Sequence, residues 1–346
     1  MALSGIASFL VTVGTLACIY GLLALGLNVH YGYTGLLNFG HVAFFAAGAY
    51  ASAILTMPPP GEVSQASYAV GLDLPMPLGF PVSLTVAALA GGLLALLIGS
   101  TSVRLGSHYL AIATFALAGI FEDILVNEVW LTNGTFGMNS VPKPMRGTLG
   151  AMGWRVAYLA FSALCLLGVY LLLRRLIDAP FGRLLRGVRE SEDAARMLGK
   201  DTGAVKLKSF AIGGAIAGFA GGIYAHFIGS VVTEQFVAGV TFVVWAAILL
   251  GGVASSTGAV VGAVVLIAFQ QSTRFILTIY GWIQATLPDP LSGVLPAIFA
   301  PLPNHPSFVP SVRFIVIGFL FVLVVRYRPE GLLGDPNEVT VMGEED

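Results

Sequence analysis

Charge is what this chain has least of. Only 10% of its 346 residues are Asp, Glu, Lys or Arg, against about 25% in ordinary soluble domains. That excludes a conventional soluble fold. The net charge is −1, so no nucleic acid is implied as a partner. Cysteine is nearly absent. Cys18 and Cys165 both lie inside apolar runs, which excludes a disulfide framework and leaves them as small hydrophobes. There is no G-x-x-x-x-G-K-[ST] phosphate loop. The "LGKD" at Leu198–Asp201 lacks the upstream glycine and the hydroxyl after the lysine, so no ATP site is evident. No His, Cys or carboxylate sits at ligand spacing near His41, which argues against a metal site. Tyr31, Asn38, His41 and the Glu122–Asp123 pair are too scattered to form a catalytic cluster. No span carries the dense Asp/Glu/His relay of a proton pump. The chain is therefore expected to bind no cofactor and to be no enzyme.

What remains is apolar: 56% of residues are hydrophobic and the mean hydropathy is +0.86. Runs of about 20 apolar residues span a bilayer as helices. Nine are found, near 5–27, 37–57, 81–103, 108–127, 154–174, 208–229, 236–251, 257–279 and 311–328. A tenth short or re-entrant element fits near 28–37 or 285–300. The expected fold is an all-α integral membrane protein, a polytopic bundle of nine or ten transmembrane helices forming one domain over 1–346. The first run lacks a basic leader and reads as a retained helix.

Basic residues set the orientation. The stretch from Arg174 to Lys208 holds nine of the 17 Lys and Arg residues, and such clusters mark the cytoplasmic side. Alternation then puts Arg104, Arg326 and Arg328 inside. It puts Glu62, Asp73, Trp130–Arg146, Glu234 and Asp289–His305 outside. The tail over 329–346 and the C-terminus are cytoplasmic, and the N-terminus is outside for a count of nine.

Small residues recur at four-residue spacing, the pattern that lets helix backbones approach in lipid. The stripes are Ala43–Ala47–Ala51, Gly214–Gly218–Gly222, Ala217–Gly221–Ala225 and Gly258–Gly262. They read as close packing or as surfaces that slide in a transporter. In "YTGLLNFGHVAFFAAGAYASAIL", Asn38, His41, Phe45, Gly48 and Ser52 fall on one face of a helix. That face either bonds a neighbouring helix or borders a polar path. Glu122 and Asp123 near one end of the fourth run, and Arg274 near the same side of the eighth, pair with one another or snorkel separately. Asn38, His41, Gly48, Ser52, Glu122, Asp123 and Arg274 are the candidate translocation-path residues.

The cytoplasmic loop over 175–207 carries a helix signal. Ser191 caps it, Glu192 and Asp193 suit its first turn, and Gly199 stops it. Ala194, Ala195, Met197 and Leu198 supply an apolar side. Such a helix lies on anionic lipid or docks in a groove of a soluble partner.

Asp193-Ala194-Ala195-x-x-x-Gly199 resembles the E-A-A-x-x-x-G loop of ABC importer permeases, with Asp in place of Glu. The blocks "PFGRLLRGVRESEDAARMLGKDTGAVKLKSF", "GYTGLLNFGHVAFFAAGAYASAIL", "RLGSHYLAIATFALAGIFEDILVN", "LLGGVASSTGAVVGAVVL" and "YRPEGLLG" resemble the LivM-type permeases of branched-chain amino acid importers. The likeness runs from Leu27 to Gly334, with Ala254 where that family usually has glycine. It implies the ABC importer permease fold in a bacterial inner membrane. A second related permease, two cytoplasmic ATPases carrying ATP and Mg, and an external substrate-binding protein are the implied partners. Glu192, Asp193, Ala194, Ala195, Met197, Leu198 and Gly199 become the ATPase-docking residues. The implied activity is import by alternating access, first for branched-chain or related hydrophobic amino acids. Urea, short amides and aromatic acids are served by the same machinery. A stand-alone carrier or channel is the reading from another class, and it has no need of a docking helix.

Overall fold

The computed structural model describes residues 2–59, 71–102, 107–272, 318–319, 322, 326 and 330–334. Arg274, the outer stretch Asp289–His305 and most of the ninth run lie outside them. Eleven helices are described: α1 (Ala2–His30), α2 (His41–Thr56), α3 (Met76–Ser102), α4 (Ser107–Asn127), the single turn α5 (Val129–Thr132), α6 (Arg146–Asp178), α7 (Pro180–Glu190), α8 (Glu192–Met197), α9 (Thr202–Ile228), α10 (Ala238–Gly251) and α11 (Ser256–Ser272). The only strands among the described residues, β1 (Met138–Asn139) and β2 (Ser230–Val231), pair antiparallel.

Among the described residues, six helical segments are long and apolar enough to cross a bilayer. α2, at 16 residues, is not: at 1.5 Å per residue it reaches about 24 Å, short of a ~30 Å hydrocarbon core. The run read as 37–57 therefore begins later than its hydropathy suggested. Residues 31–40 are turns and extended chain, which places a broken element at the edge of the 28–37 window. α6 is broken near its start, where Gly150 takes φ 68° and ψ 178°.

The helices meet through their small residues. α2, α3 and α9 pack against one another. A Cβ added at Gly91 of α3 would fall 2.7 Å from Gly218 Cα, and one at Gly221 would fall 2.8 Å from Ala49 N of α2. Gly48 likewise abuts the Gly218 backbone, and Gly262 of α11 abuts Gly251 of α10. Backbone touches backbone, so dispersion and interhelical bonds replace the hydrophobic drive that lipid withholds. α6 sits at the margin, with Leu164, Leu167, Leu171 and Leu172 exposed.

Contacts sort the connections to two ends. At one end Arg155 bonds Ser8, Pro142 accepts from His226, and β1 pairs with β2. α1 and α6 run in the same direction, Gly14 meeting Leu159 and Gly21 meeting Leu166. The start of α1 is thus at the end opposite the α7–α8 loop. At the loop's end lie residues 30–34, the α10–α11 turn and residues 330–334. Leu332 and Leu333 N–H groups donate to the Leu250 and Gly251 carbonyls at 2.9 and 2.8 Å, capping α10. That gives "EGLLG" at 330–334 a structural role.

Candidate functional site

Residues 31–40 re-enter the bundle. The His41 ring nitrogen Nε2 donates to the Leu23 carbonyl at 3.1 Å. α2 thus starts level with a point seven residues inside the end of α1, roughly 10 Å deep. Unwound backbone at that depth must be satisfied by protein, and it is. Gly40 N–H donates to Asn38 Oδ1 (2.9 Å), Phe39 N–H to Thr114 Oγ1 (3.1 Å) and Val42 N–H to Thr241 Oγ1 (3.0 Å). Trp245 Nε1 donates to the Asn38 carbonyl at 3.0 Å and stacks on Phe39. Asn38 Nδ2 donates to His30 Nδ1 at 3.0 Å, and His30 Nε2 donates to the Phe210 carbonyl at 3.2 Å. These bonds fix His30 as the Nε2–H tautomer if neutral. His41 Nδ1 has no partner among the described residues.

Asn38 therefore precedes α2 rather than sharing its helical face with His41. Asn38, His41 and Ser52 are buried, Gly48 is consumed in packing on Gly218, and none of them lines a described cavity. Ser52 belongs to a second polar cluster that hydropathy did not reveal. Its Oγ lies 3.0 Å from His226 Nε2, with Ser83 Oγ at 3.2 Å, while His226 Nδ1 donates to the Pro142 carbonyl at 2.7 Å. Its one sequence signal was a histidine in the last turn of an apolar helix. Glu122 is half-buried and Asp123 exposed on α4, and neither has an ion pair among the described residues. Their pairing with Arg274 falls outside the described chain.

The α7–α8 loop is built as its sequence suggested and then differs in which side faces out. Ser191 Oγ accepts from Ala194 N–H at 3.2 Å. Gly199, at φ 73°, closes α8. Lys200 N–H reaches the Ala195 carbonyl at 3.1 Å and Gly199 N–H the Arg196 carbonyl at 2.9 Å, the paired bonds of a Schellman stop. Ala195 is not on the outer face. It is buried with Tyr33, Ile177, Leu185, Val188 and Val205. Glu192 also turns inward, bonding Lys206, Arg196 and Thr202. Burial raises its pKa, but Lys206, Thr202 and Arg196 outweigh that and hold the carboxyl below its ordinary value. Met197 and Leu198 are 89% and 79% exposed, beside exposed Asp193 and Ala194. α7 went unrecognised in the sequence. Its signals were Pro180 at the first helical position and an apolar side of Gly182, Leu185 and Val188, which is buried.

The loop is tied to the unwound segment. Arg189 Nη1 donates to the Gly32 carbonyl at 2.5 Å. Tyr33, which shares a buried cluster with Ala195, also shares a 2.8 Å hydrogen bond with Ser256 at the start of α11. Ala254 N–H donates to Asn28 Oδ1 at 3.1 Å, and Ala254 adopts φ 59°. The turn keeps a glycine-like backbone although it carries a Cβ.

A multi-pass helical bundle, broken within its own core and linked there to a short helix that exposes Met197 and Leu198, fits a membrane transport subunit. Residues 9–325 match the family model for the branched-chain amino acid transport system permease component, and the chain belongs to that family. The high-affinity branched-chain amino acid transport system permease protein LivM of Escherichia coli K12 is 33% identical over 345 residues, covering 93% of this chain and 69% of that protein. A probable LivM of Methanocaldococcus jannaschii is 25% identical, covering 93% and 92%. LivH of Escherichia coli K12 is 28% identical over 286 residues, covering 77% and 85%. No solved structure matches the chain. These relatives are transport permeases, and this chain is a transport subunit rather than an enzyme.

Proposed function

We propose that this chain is the permease subunit of an ATP-binding-cassette importer for branched-chain or related hydrophobic amino acids. The observation that carries the reading is the joint between α8 and the core. Met197 and Leu198 face outward, while Ala195 and Arg189 grip Tyr33 and Gly32. A motor seated on the outward face pulls on the unwound segment 31–40, and through Tyr33–Ser256 on α11. Broken transmembrane helices are where transporters place moving and binding elements. The basic loop faces the cytoplasm, and residues 330–334 share its end. The partners are two ATPases holding ATP and Mg, a second related permease, and an external binding protein that delivers the solute. Likeness to both LivM and LivH supports the permease pair, and their names support the solute. Asn38, His41, Gly48 and Ser52 act in this reading by carrying motion through the packed seam. Glu122 and Asp123 stand where α4 meets the outer vestibule.

The test is co-purification with co-expressed ATPase subunits. Met197→Glu with Leu198→Glu loses the ATPases by more than tenfold while the unfolding temperature stays within about 2 °C, since both side chains are exposed. Full retention of the ATPases would overturn the docking assignment. Uptake of leucine but not urea by vesicles holding the complete complex supports the solute class, and the reverse refutes it.

A further inference from the structure

At the end opposite α8, three cations crowd one cavity. Lys143, Arg146 and Arg155 line a hollow of about 210 Å³ between the starts of α1 and α6, with Thr12, Ala151 and Trp154. A broader hollow beside it shares Lys143 and Arg146. No carboxylate lines either one among the described residues. Lys143 is fixed in place from below: Val141 N–H bonds the Gly229 carbonyl and His226 bonds the Pro142 carbonyl. Its ammonium lies 5.2 Å from the centre of the Trp154 ring.

Trp154 supplies a second and independent sign. The residue is 5% exposed, lines the cavity, and its Nε1–H has no hydrogen-bond partner among the described residues. A buried donor without an acceptor costs about 1–3 kcal/mol, which an incoming oxygen would recover. The break at Gly150 adds to the donor excess. Helical geometry resumes at Ala151, on the cavity wall, so its first N–H groups lack intrahelical acceptors and carry the positive end of the helix dipole. Burial, with Arg146 and Arg155 beside it, also pushes the Lys143 ammonium below its usual pKa.

Three cations line this hollow and no carboxylate does among the described residues, so the occupant that suits it is an oxyanion. Its surroundings say which. Close to these cations and to Thr12 in sequence, α1 and α6 expose apolar side chains: Leu10 (61%), Leu149 (41%), Met152 (41%) and Val156 (48%). The cavity floor is Phe227 and Ile228. A soluble anion has no use for such side chains, whereas acyl chains do. The hollow, at about 210 Å³, has room for a phosphate diester. We propose that this hollow binds the headgroup phosphate of an anionic phospholipid in the leaflet away from α8, with Trp154 Nε1–H, Arg146, Arg155 and Lys143 as its ligands.

The test is native mass spectrometry of the full chain in detergent, titrated with phosphatidylglycerol, phosphatidylcholine or inorganic phosphate. Wild type retains phosphatidylglycerol at least tenfold better than the zwitterionic lipid. Arg146→Gln with Arg155→Gln loses that retention by tenfold or more. Trp154→Phe keeps the ring and its packing, and should bind severalfold more weakly while unfolding at the wild-type temperature without lipid. Equal retention of the two lipids, or variants that bind like wild type, would overturn the proposal. So would complete displacement by millimolar inorganic phosphate, which marks a free-anion site. Binding that appears only after a co-purified protein is stripped away would also overturn it, in favour of a protein carboxylate.

Discussion

Where α9 packs on α2 and α3, glycine lies on backbone; where α8 joins the bundle, one buried alanine and a set of charged and hydroxyl side chains make the joint. Gly218 is covered by Gly48 and Gly91 with no side chain between them. Glu192, by contrast, reaches Lys206, Arg196 and Thr202 through long, partly hydrated side chains. The first contact is stiff because any added atom meets main chain. The second is adjustable because its parts rotate and exchange with water. The comparison teaches a division of labour: the seam keeps α2, α3 and α9 as one body, and under the proposed function the loop is the part that transmits force into it at Gly32 and Tyr33.

The seam breaks most easily by adding volume. Gly218→Leu places a side chain into the Gly91 and Ala87 backbones and costs about 3 kcal/mol or more, the upper range for overpacking. Unfolding in a denaturing detergent should show it as a lost or strongly shifted transition. The α10–α11 turn is a smaller lever. Ala254 holds φ 59°, a conformation costing an alanine about 1–2 kcal/mol. Ala254→Gly should therefore stabilise by about 0.5–1 kcal/mol after glycine's greater unfolded entropy is counted, read as a raised unfolding temperature.

The loop yields the smallest effect, and it depends on pH. Glu192 is held below its ordinary value of 4.5. Its contribution is thus fully present above that value and is lost as pH falls through the lower folded one. Protease sensitivity of the α7–α8 loop should rise in that acid range in wild type. Glu192→Gln should show part of that sensitivity already at neutral pH, with a flatter acid response.

Much of this was legible in the residues, and the reasons are local. Ser191 and Gly199 mark α8 because a cap and a left-handed stop need only their nearest neighbours. The apolar run of α9 and its glycine stripe follow from spacing alone. The break at 31–40 was not legible as such, because hydropathy runs smoothly through "GLLNFGHVAFF". What unwinds the chain is a set of acceptors and donors on Thr114, Thr241, Trp245 and Phe210, far away in sequence. The same distance hid the Ser52–Ser83–His226 cluster and turned Ala195 inward against Tyr33 and Val205.

The joint itself is tested by one quantity, solute taken up per ATP hydrolysed in vesicles containing the complete importer. Arg189→Gln removes the bond to the Gly32 carbonyl and leaves Met197 and Leu198 untouched on the outer face. The ATPases should stay bound and hydrolyse ATP, while uptake per ATP falls at least tenfold. An unchanged ratio in that variant would contradict the transmission of force from α8 to the unwound segment.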